Sequence, residues 1–430
     1  MERLQVEKEL NTIVGGGAFG KNCNLVSFKL YKCMTDMDEW WYQRIFCSVL
    51  TSDGADYNIM IKIKIQDSVL RGCFGCDVLF YNELFFYKKI IPFLLECRGP
   101  IVNDSNTLFL PRFFYGRNNC SELVTNDLIV IENINTLGYS YCSSNEKVFL
   151  DIDHLTIALQ TLAKFHGLSY NAKHRDTSKI RDIMKNVFDT HMDVDGHWMA
   201  QNDLFKKCGK RGMDRLLKRD GDRYRNHEHI RRLGELFDDA RTVLMRTLDA
   251  REPLSVICHG NWYRDTLLFQ YDEHRRPFDA TAIDYSTLHY GSPALDLSSF
   301  LYMSTTQPVR EAHWDDLLDA YCVALAGSVS PGVRVPCRAE IDAELGEVAV
   351  GGLATAAFVL PFVLRDRSDL TLETSMTSDD PVEYFLALGG DVATEYLADV
   401  VKHFVDMGYA GRCGHSSNPV ENTNPKCSSA

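Results

Sequence analysis

Between positions 24 and 65 the chain carries three runs, 25–31, 42–50 and 57–65, rich in β-branched and aromatic residues. Polar, Gly-containing segments such as Thr51-Ser52-Asp53-Gly54 punctuate them, so the pattern predicts three strands. Positions 77–91 switch to helical spacing, and Pro92 is expected to close that helix. Two short apolar runs, 108–114 and 128–131, predict two more strands. Beyond Asp151 the period becomes helical. Asp151 or Asp153 can cap a helix reaching Ser169, with Leu155, Leu159, Leu162 and His166 on one face. Further helices are expected at 180–187, 203–217, 229–248, 314–326 and 341–364, and one or two within 380–403. The small, polar tail 411–430 is expected to be disordered. The fold class is α+β with two lobes: a small β-rich lobe over 1–134 and a larger helical lobe over 135–410.

Composition narrows the function classes. A chain of 430 residues is too long for one small core. A formal charge of −13 argues against a nucleic-acid partner, whose phosphates call for clustered Lys and Arg. The locally basic segment 206–232 reads as a solvated helix face. The 14 cysteines are scattered; only Cys73 and Cys76 form a C-x-x-C, and with no second pair a zinc site is not expected. The charged start, Met1 to Glu9, lacks the apolar run of a signal peptide, so free thiols in the reducing cytoplasm are the expectation. The longest uncharged stretch, 348–364, contains Gly351, Gly352 and Pro361; it reads as a buried helix rather than a membrane span.

Several residues point to phosphate chemistry. Gly15-Gly16-Gly17-Ala18-Phe19-Gly20 fits G-x-G-x-x-G, with Gly15, Gly17 and Gly20 at the signature positions. A strand follows it, an order that suits a phosphate-covering flap between two strands, or else a flexible N-terminal loop. Lys62 and Lys64 share one face of their strand, opposite the isoleucines. Lys62 can bridge nucleotide phosphates and a helix carboxylate, for which Glu83 is the candidate. Glu132-Asn133 ends an apolar strand where an adenine could meet backbone groups, or is an ordinary strand end. A polar loop begins at His259-Gly260, and a second apolar run ends at Asp284. Two short strands that deliver such a loop and a lone Asp to one spot are how phosphotransferases hold nucleotide-bound magnesium. His259 is expected to brace the loop rather than act as a base.

Taken together, ICHGNWYRDTLLFQYD (257–272), AIDYSTLHYGSPALDLSSFLY (282–302), FYNELFFYKKIIP (80–92) and LAKFHGLS (162–169) resemble the ecdysteroid kinase-like family, related to choline kinases and aminoglycoside phosphotransferases. The resemblance runs from about Gly15 to about Tyr409. It implies a bilobal protein-kinase-like fold, ATP with Mg2+, and a small hydroxylated, apolar acceptor such as a steroid. It also implies a metal ligand at Asp284. The family's loop reads HGD, four residues, then Asn. This chain has Asn261 at the catalytic Asp position and Thr266 at the metal-binding Asn position, with Asp265 as a possible substitute carboxylate. An amide cannot accept the acceptor's proton, and loss of a general base costs about 10²–10⁴-fold in rate. Two readings stay open: a small-molecule kinase with a degenerate loop, and a pseudokinase that binds a ligand or serves as a scaffold. The absence of G-x-S-x-G, H-E-x-x-H and a strand-first glycine loop weighs against a hydrolase or dehydrogenase.

Overall fold

A computed structural model describes residues 3–34, 42–65, 67–73, 75–99, 107–120, 127–142, 148–190, 204–365 and 381–412. The first lobe is a five-stranded antiparallel sheet of β1 (Leu25–Met34), β2 (Tyr42–Thr51), β3 (Asp56–Lys64), β4 (Phe113–Arg117) and β5 (Leu128–Glu132), in the order β1-β2-β3-β5-β4. Alternation sends Ile59, Ile61 and Ile63 to one face, where they bury against Val6, Leu10, Ile13 and Val14 of α1 (Arg3–Gly15). This first helix was not among the expected elements, although its apolar spacing of i, i+4, i+7 and i+8 is helical.

The opposite face carries Lys62 and Lys64 toward α3 (Cys76–Phe85), which lies between α2 (Ser68–Cys73) and α4 (Ile91–Cys97) in the chain. Pro92 does not close the expected helix. A wide π turn, Phe86–Ile90, intervenes, and Pro92 then falls in the first turn of α4, where a missing N–H costs nothing. Strand β4 starts later than expected because Pro111 cannot donate to a sheet ladder.

The second lobe is helical. It comprises α5 (Ile152–Met184), α6 (Leu204–Arg219), α7 (Gly221–Tyr224), α8 (Glu228–Asp238), α9 (Ala240–Thr247), α10 (Pro293–Ser304), α11 (Gln307–Gly327), α12 (Arg338–Leu364), α13 (Pro381–Ala387), α14 (Gly390–Asp406) and α15 (Tyr409–Arg412). Asp151 caps α5 by accepting the His154 amide. The helix runs on far past Ser169, kinks at Asp176 (φ −160°, ψ 91°), and absorbs the separate helix expected at 180–187. The Asp176 carboxylate accepts the Lys179 amide, which caps the second half afresh. The helix expected at 229–248 breaks at Asp239 into α8 and α9. Helix α12 packs against α10, α6 and α14. A Cβ on Gly352 would lie 2.6 Å from the Ser298 backbone, so the close approach of α10 and α12 requires glycine there. By length and composition alone α12 could cross a membrane, and 56% of its apolar window is buried within the fold. The expected disordered tail lies outside the described residues from 413 onward.

Two small two-stranded sheets carry the chemistry-bearing loops: β6 (Val256–Cys258) with β9 (His289–Gly291), and the hairpin of β7 (Leu267–Tyr271) with β8 (Pro277–Ala282). The pair Leu267↔Ala282 and the bond from the Ile283 amide to the Thr266 carbonyl (2.9 Å) bring the His259 loop and Asp284 together.

Candidate active site

Lys62 is the centre of the site. Its Nζ lies 2.5 Å from Glu83 Oε2 on α3 and 2.9 Å from Asp284 Oδ1, and all three side chains are buried. It also sits 3.8 Å above the centroid of the Tyr42 ring. Burial opposes the lysine's charge, but the two carboxylates outweigh it and raise the pKa. One ammonium cannot neutralise two carboxylates. Burial and the nearby Asp284 push Glu83 up to about 7, despite the lysine's pull. Burial works against Asp284 too, yet Lys62 and the Ser286 hydroxyl (2.8 Å) hold its carboxyl below the usual value. Asp284 is therefore the charged partner of the pair. Its backbone is left-handed, φ +67°, an uncommon conformation outside glycine.

The neighbouring lysine clamps the start of the same helix. Lys64 reaches Asp77 at 2.6 Å, Asp127 at 2.9 Å and the Asn118 side-chain oxygen Oδ1. Strand β3 therefore grips α3 at two points, through residues two apart on one strand face.

The His259 loop is braced from below by Asp296 on α10. That carboxylate accepts the amides of His259 (2.7 Å) and Gly260 (2.9 Å) and meets His166 Nε2 at 3.1 Å. Burial opposes its charge, but the His166 hydrogen bond holds its carboxyl well below the usual range. Gly260 has φ +78°, which explains a glycine there. His259 itself is buried, burial lowers its pKa, and its Nδ1 accepts the Asn261 amide at 3.3 Å. A neutral imidazole with Nδ1 occupied in this way orders the loop. His166, Cys258 and Asp296 place their donor atoms within 4.8 Å of one another. Each is already engaged, His166 with Tyr321 and Asp296, Cys258 with the Ser292 carbonyl, so the trio knits the lobe together.

Asn261 is half-buried, and its side-chain amide makes no hydrogen bond among the described residues. Thr266 is buried; its hydroxyl donates to the carbonyls of Asn261 (2.7 Å) and Tyr263 (3.0 Å) and accepts the Tyr263 amide. It serves the loop's own backbone and does not fit a metal-ligand role. Asp265 lies exposed on the short 3-10 turn Arg264–Thr266. By contrast, Asp284 fits a hard cation: Lys62 and Ser286 occupy Oδ1, and no hydrogen bond among the described residues engages Oδ2.

The structure does not bring the glycines to this cluster. The Ala18 amide bonds the Ile13 carbonyl and the Gly17 amide bonds that of Val14, with Gly17 at φ +86°. That is a Schellman stop at the end of α1, not a turn between two strands. Gly15 ends the helix, and Gly20 (φ +137°) bonds back to Gly17. The turn is tied to Tyr57, whose hydroxyl donates to the Phe19 carbonyl. Tyr57 is five residues along β3 from Lys62, roughly 17 Å away along the strand. The strand pair next to Lys62 is instead β1–β2, through Met34↔Arg44 and Arg44↔Lys62. At the end of β5, the Glu132 amide bonds the Arg112 carbonyl and the Asn133 amide bonds that of Asn58, so both donors are committed to the sheet. Asn133 then caps the 3-10 turn Ile134–Leu137. Of the C-x-x-C pair, Cys76 is buried and free, and the Cys73 side chain lies outside the described residues. Asp296 and His166 fall within the strings 282–302 and 162–169, but nothing in the sequence shows that they meet beneath the loop.

A β-rich lobe whose strand lysine pairs with a helix carboxylate and with an aspartate 222 residues away defines a small-molecule kinase-like protein. A family model described as the ecdysteroid kinase-like family matches residues 44–330, and the chain belongs to that family. The match begins after the glycine turn, later than the resemblance from Gly15 implied. A comparison with curated proteins gives no match. Among solved structures, an ethanolamine kinase from Plasmodium vivax is similar at 11% identity over 94% of this chain and 91% of that one, TM-score 0.43. A microcompartment-associated aminopropanol kinase is similar at 12% identity over 93% and 98%, TM-score 0.45. A choline kinase from Cryptosporidium parvum is similar at 12% over 94% and 96%, TM-score 0.42. At these scores the structural likenesses assign no activity to the chain.

Proposed function

We propose that the chain is an ATP-dependent small-molecule kinase of the ecdysteroid kinase-like family that keeps the Lys62–Glu83–Asp284 set and whose catalytic loop is degenerate. The observation that carries this reading is the buried Lys62–Glu83–Asp284 triangle. In it, Glu83 holds Lys62 in place, Lys62 would hold nucleotide phosphates, and Asp284 would hold a magnesium ion through Oδ2. That ion, when bound, offsets charge on the phosphates. The acceptor is a small hydroxylated molecule, apolar as in the family's namesake steroids. Asn261 faces the acceptor's hydroxyl. Its amide can orient that hydroxyl by hydrogen bonding but cannot take its proton. Positioning and charge stabilisation survive such a change, so transfer is slow rather than absent. The reading places the protein in the cytoplasm, with ATP and a small molecule as its partners.

The Thr266 geometry favours a second reading, a pseudokinase that binds its ligand without turnover, because a second metal ligand is missing. Phosphotransfer from labelled ATP to a panel of steroid and xenobiotic alcohols separates the two. The first reading expects weak wild-type activity and a gain of about 10²-fold or more in Asn261→Asp combined with Thr266→Asn. Complete inactivity of both proteins across the panel would leave the pseudokinase reading standing.

A further inference from the structure

Asn82 immediately precedes Glu83 on α3 and is fully buried. Its Nδ2 donates to the Ser286 carbonyl at 3.0 Å and to the Phe188 carbonyl at 2.8 Å, and its Oδ1 accepts the Phe188 amide at 3.0 Å. Three separate pieces of chain therefore meet on one side chain: the helix that carries Glu83, the loop that carries Asp284, and the segment just beyond α5. The carboxamide is the group that suits this place. It offers two N–H donors to two carbonyls and an oxygen to one amide. A carboxylate would set its oxygens against those carbonyls and add charge beside Glu83 and Asp284. A leucine of similar size would leave the buried Ser286 carbonyl without this partner and release the Phe188 backbone to solvent.

The loop that Asn82 holds is the one that needs holding. Asp284 has φ +67°, a conformation that persists only where its surroundings over-determine it. Two bonds act on the side chain, from Lys62 and from the Ser286 hydroxyl. Asn82 acts on the backbone, fixing the Ser286 carbonyl so that the Ser286 hydroxyl stays at 2.8 Å from Asp284 Oδ1. With Oδ1 pinned, Oδ2 is left without a hydrogen bond among the described residues.

We propose that Asn82 is a positioning residue that sets the aim of Asp284 by clamping the Ser286 backbone to α3 and, through Phe188, to the chain beyond α5. This rests on the proposed reading of Asp284 as the cation ligand. Outer contacts of this kind are worth about 10- to 100-fold in metal affinity.

The test uses the full chain as wild type, Asn82→Leu and the milder Asn82→Gln, which keeps the amide but displaces it by one methylene. Amide hydrogen exchange without ligand is read first. Both variants should exchange faster over residues 285–288 and 188–190, by about tenfold or more in Asn82→Leu, with protection in α12 unchanged. The magnesium concentration that gives half of the ATP-dependent rise in melting temperature is read second, and it should increase about tenfold. Unchanged protection at 285–288, or a loss spread evenly over α3, α5 and α12, overturns the proposal; if Asn82→Leu does not fold, Asn82→Gln decides it. Faster local exchange with an unchanged magnesium midpoint overturns the role of Asn82 alone. A wild type that does not respond to magnesium-ATP overturns the reading of Asp284 instead.

Discussion

At the scale of single residues, the site is a problem in charge balance. Two carboxylates share Lys62 in a buried setting, and the shortage of positive charge falls on Glu83, whose pKa is pushed up to about 7. The folded chain thus keeps a proton on Glu83 over the window from about 4.5 to 7 in which the unfolded chain has lost it. Its contribution to stability is full below about 4.5 and falls as pH rises through 7. Asp284 works in the other direction: held below its ordinary value, it stabilises above about 4 and loses that contribution as pH falls further. Glu83→Gln removes one titration and leaves the other. The melting temperature of the variant should therefore decline less steeply than that of wild type between pH 5 and 7.5. Equal slopes in a pH series of thermal melts would show that Glu83 is ionised throughout. Of these residues, Lys62 with Glu83 as its carboxylate partner was legible from strand alternation and helix position, and Asp284 as an isolated Asp after an apolar run. Their sharing of one proton-poor pocket was not, because it depends on contacts across more than 200 positions. Thr266 was legible as a departure from a family pattern. That its hydroxyl is turned back onto the Asn261 and Tyr263 carbonyls is a matter of local backbone geometry.

At the scale of elements, the strands were the easier part. Runs of β-branched and aromatic residues placed β1, β2 and β3, and a short apolar run placed β5, within a few residues of their ends. The misreadings share a cause, which is that Gly and Pro punctuate chain in more than one way. Pro92 reads as a stop, yet a π turn lets it open the next helix. Gly15 to Gly20 fit a phosphate-loop spacing, yet the same φ > 0 freedom that admits phosphate also ends a helix. The reason for the glycines is the helix they end, α1, whose apolar positions are interspersed with charged ones. Substitution separates these roles. Gly17→Ala places a Cβ at φ +86° and should destabilise the protein by about 1 kcal/mol, seen as a lower melting temperature. The rise produced by magnesium-ATP should be unaffected. Loss of the ATP response together with intact stability would return the glycine turn to the nucleotide site.

At the scale of the whole molecule, the account depends on two lobes meeting at one ion pair. The first lobe supplies Lys62 from β3 and Glu83 from α3; the second supplies Asp284 from the end of β8 and the loop braced by Asp296. The sequence showed a β-rich third and a helical remainder, and so the class of fold. It did not show how α5, α10 and the β6–β9 strand pair bring His166, Asp296 and Gly260 to one point, because each partner lies on a different element. The most direct measurement is thermal unfolding of wild type and Asp284→Asn with ATP, with magnesium, and with both. A few degrees of stabilisation by millimolar magnesium-ATP in wild type is expected from a ligand well above its dissociation constant. In Asp284→Asn, magnesium should add nothing to whatever ATP gives alone. A wild type unmoved by magnesium-ATP, or a variant that responds as wild type does, would contradict the account.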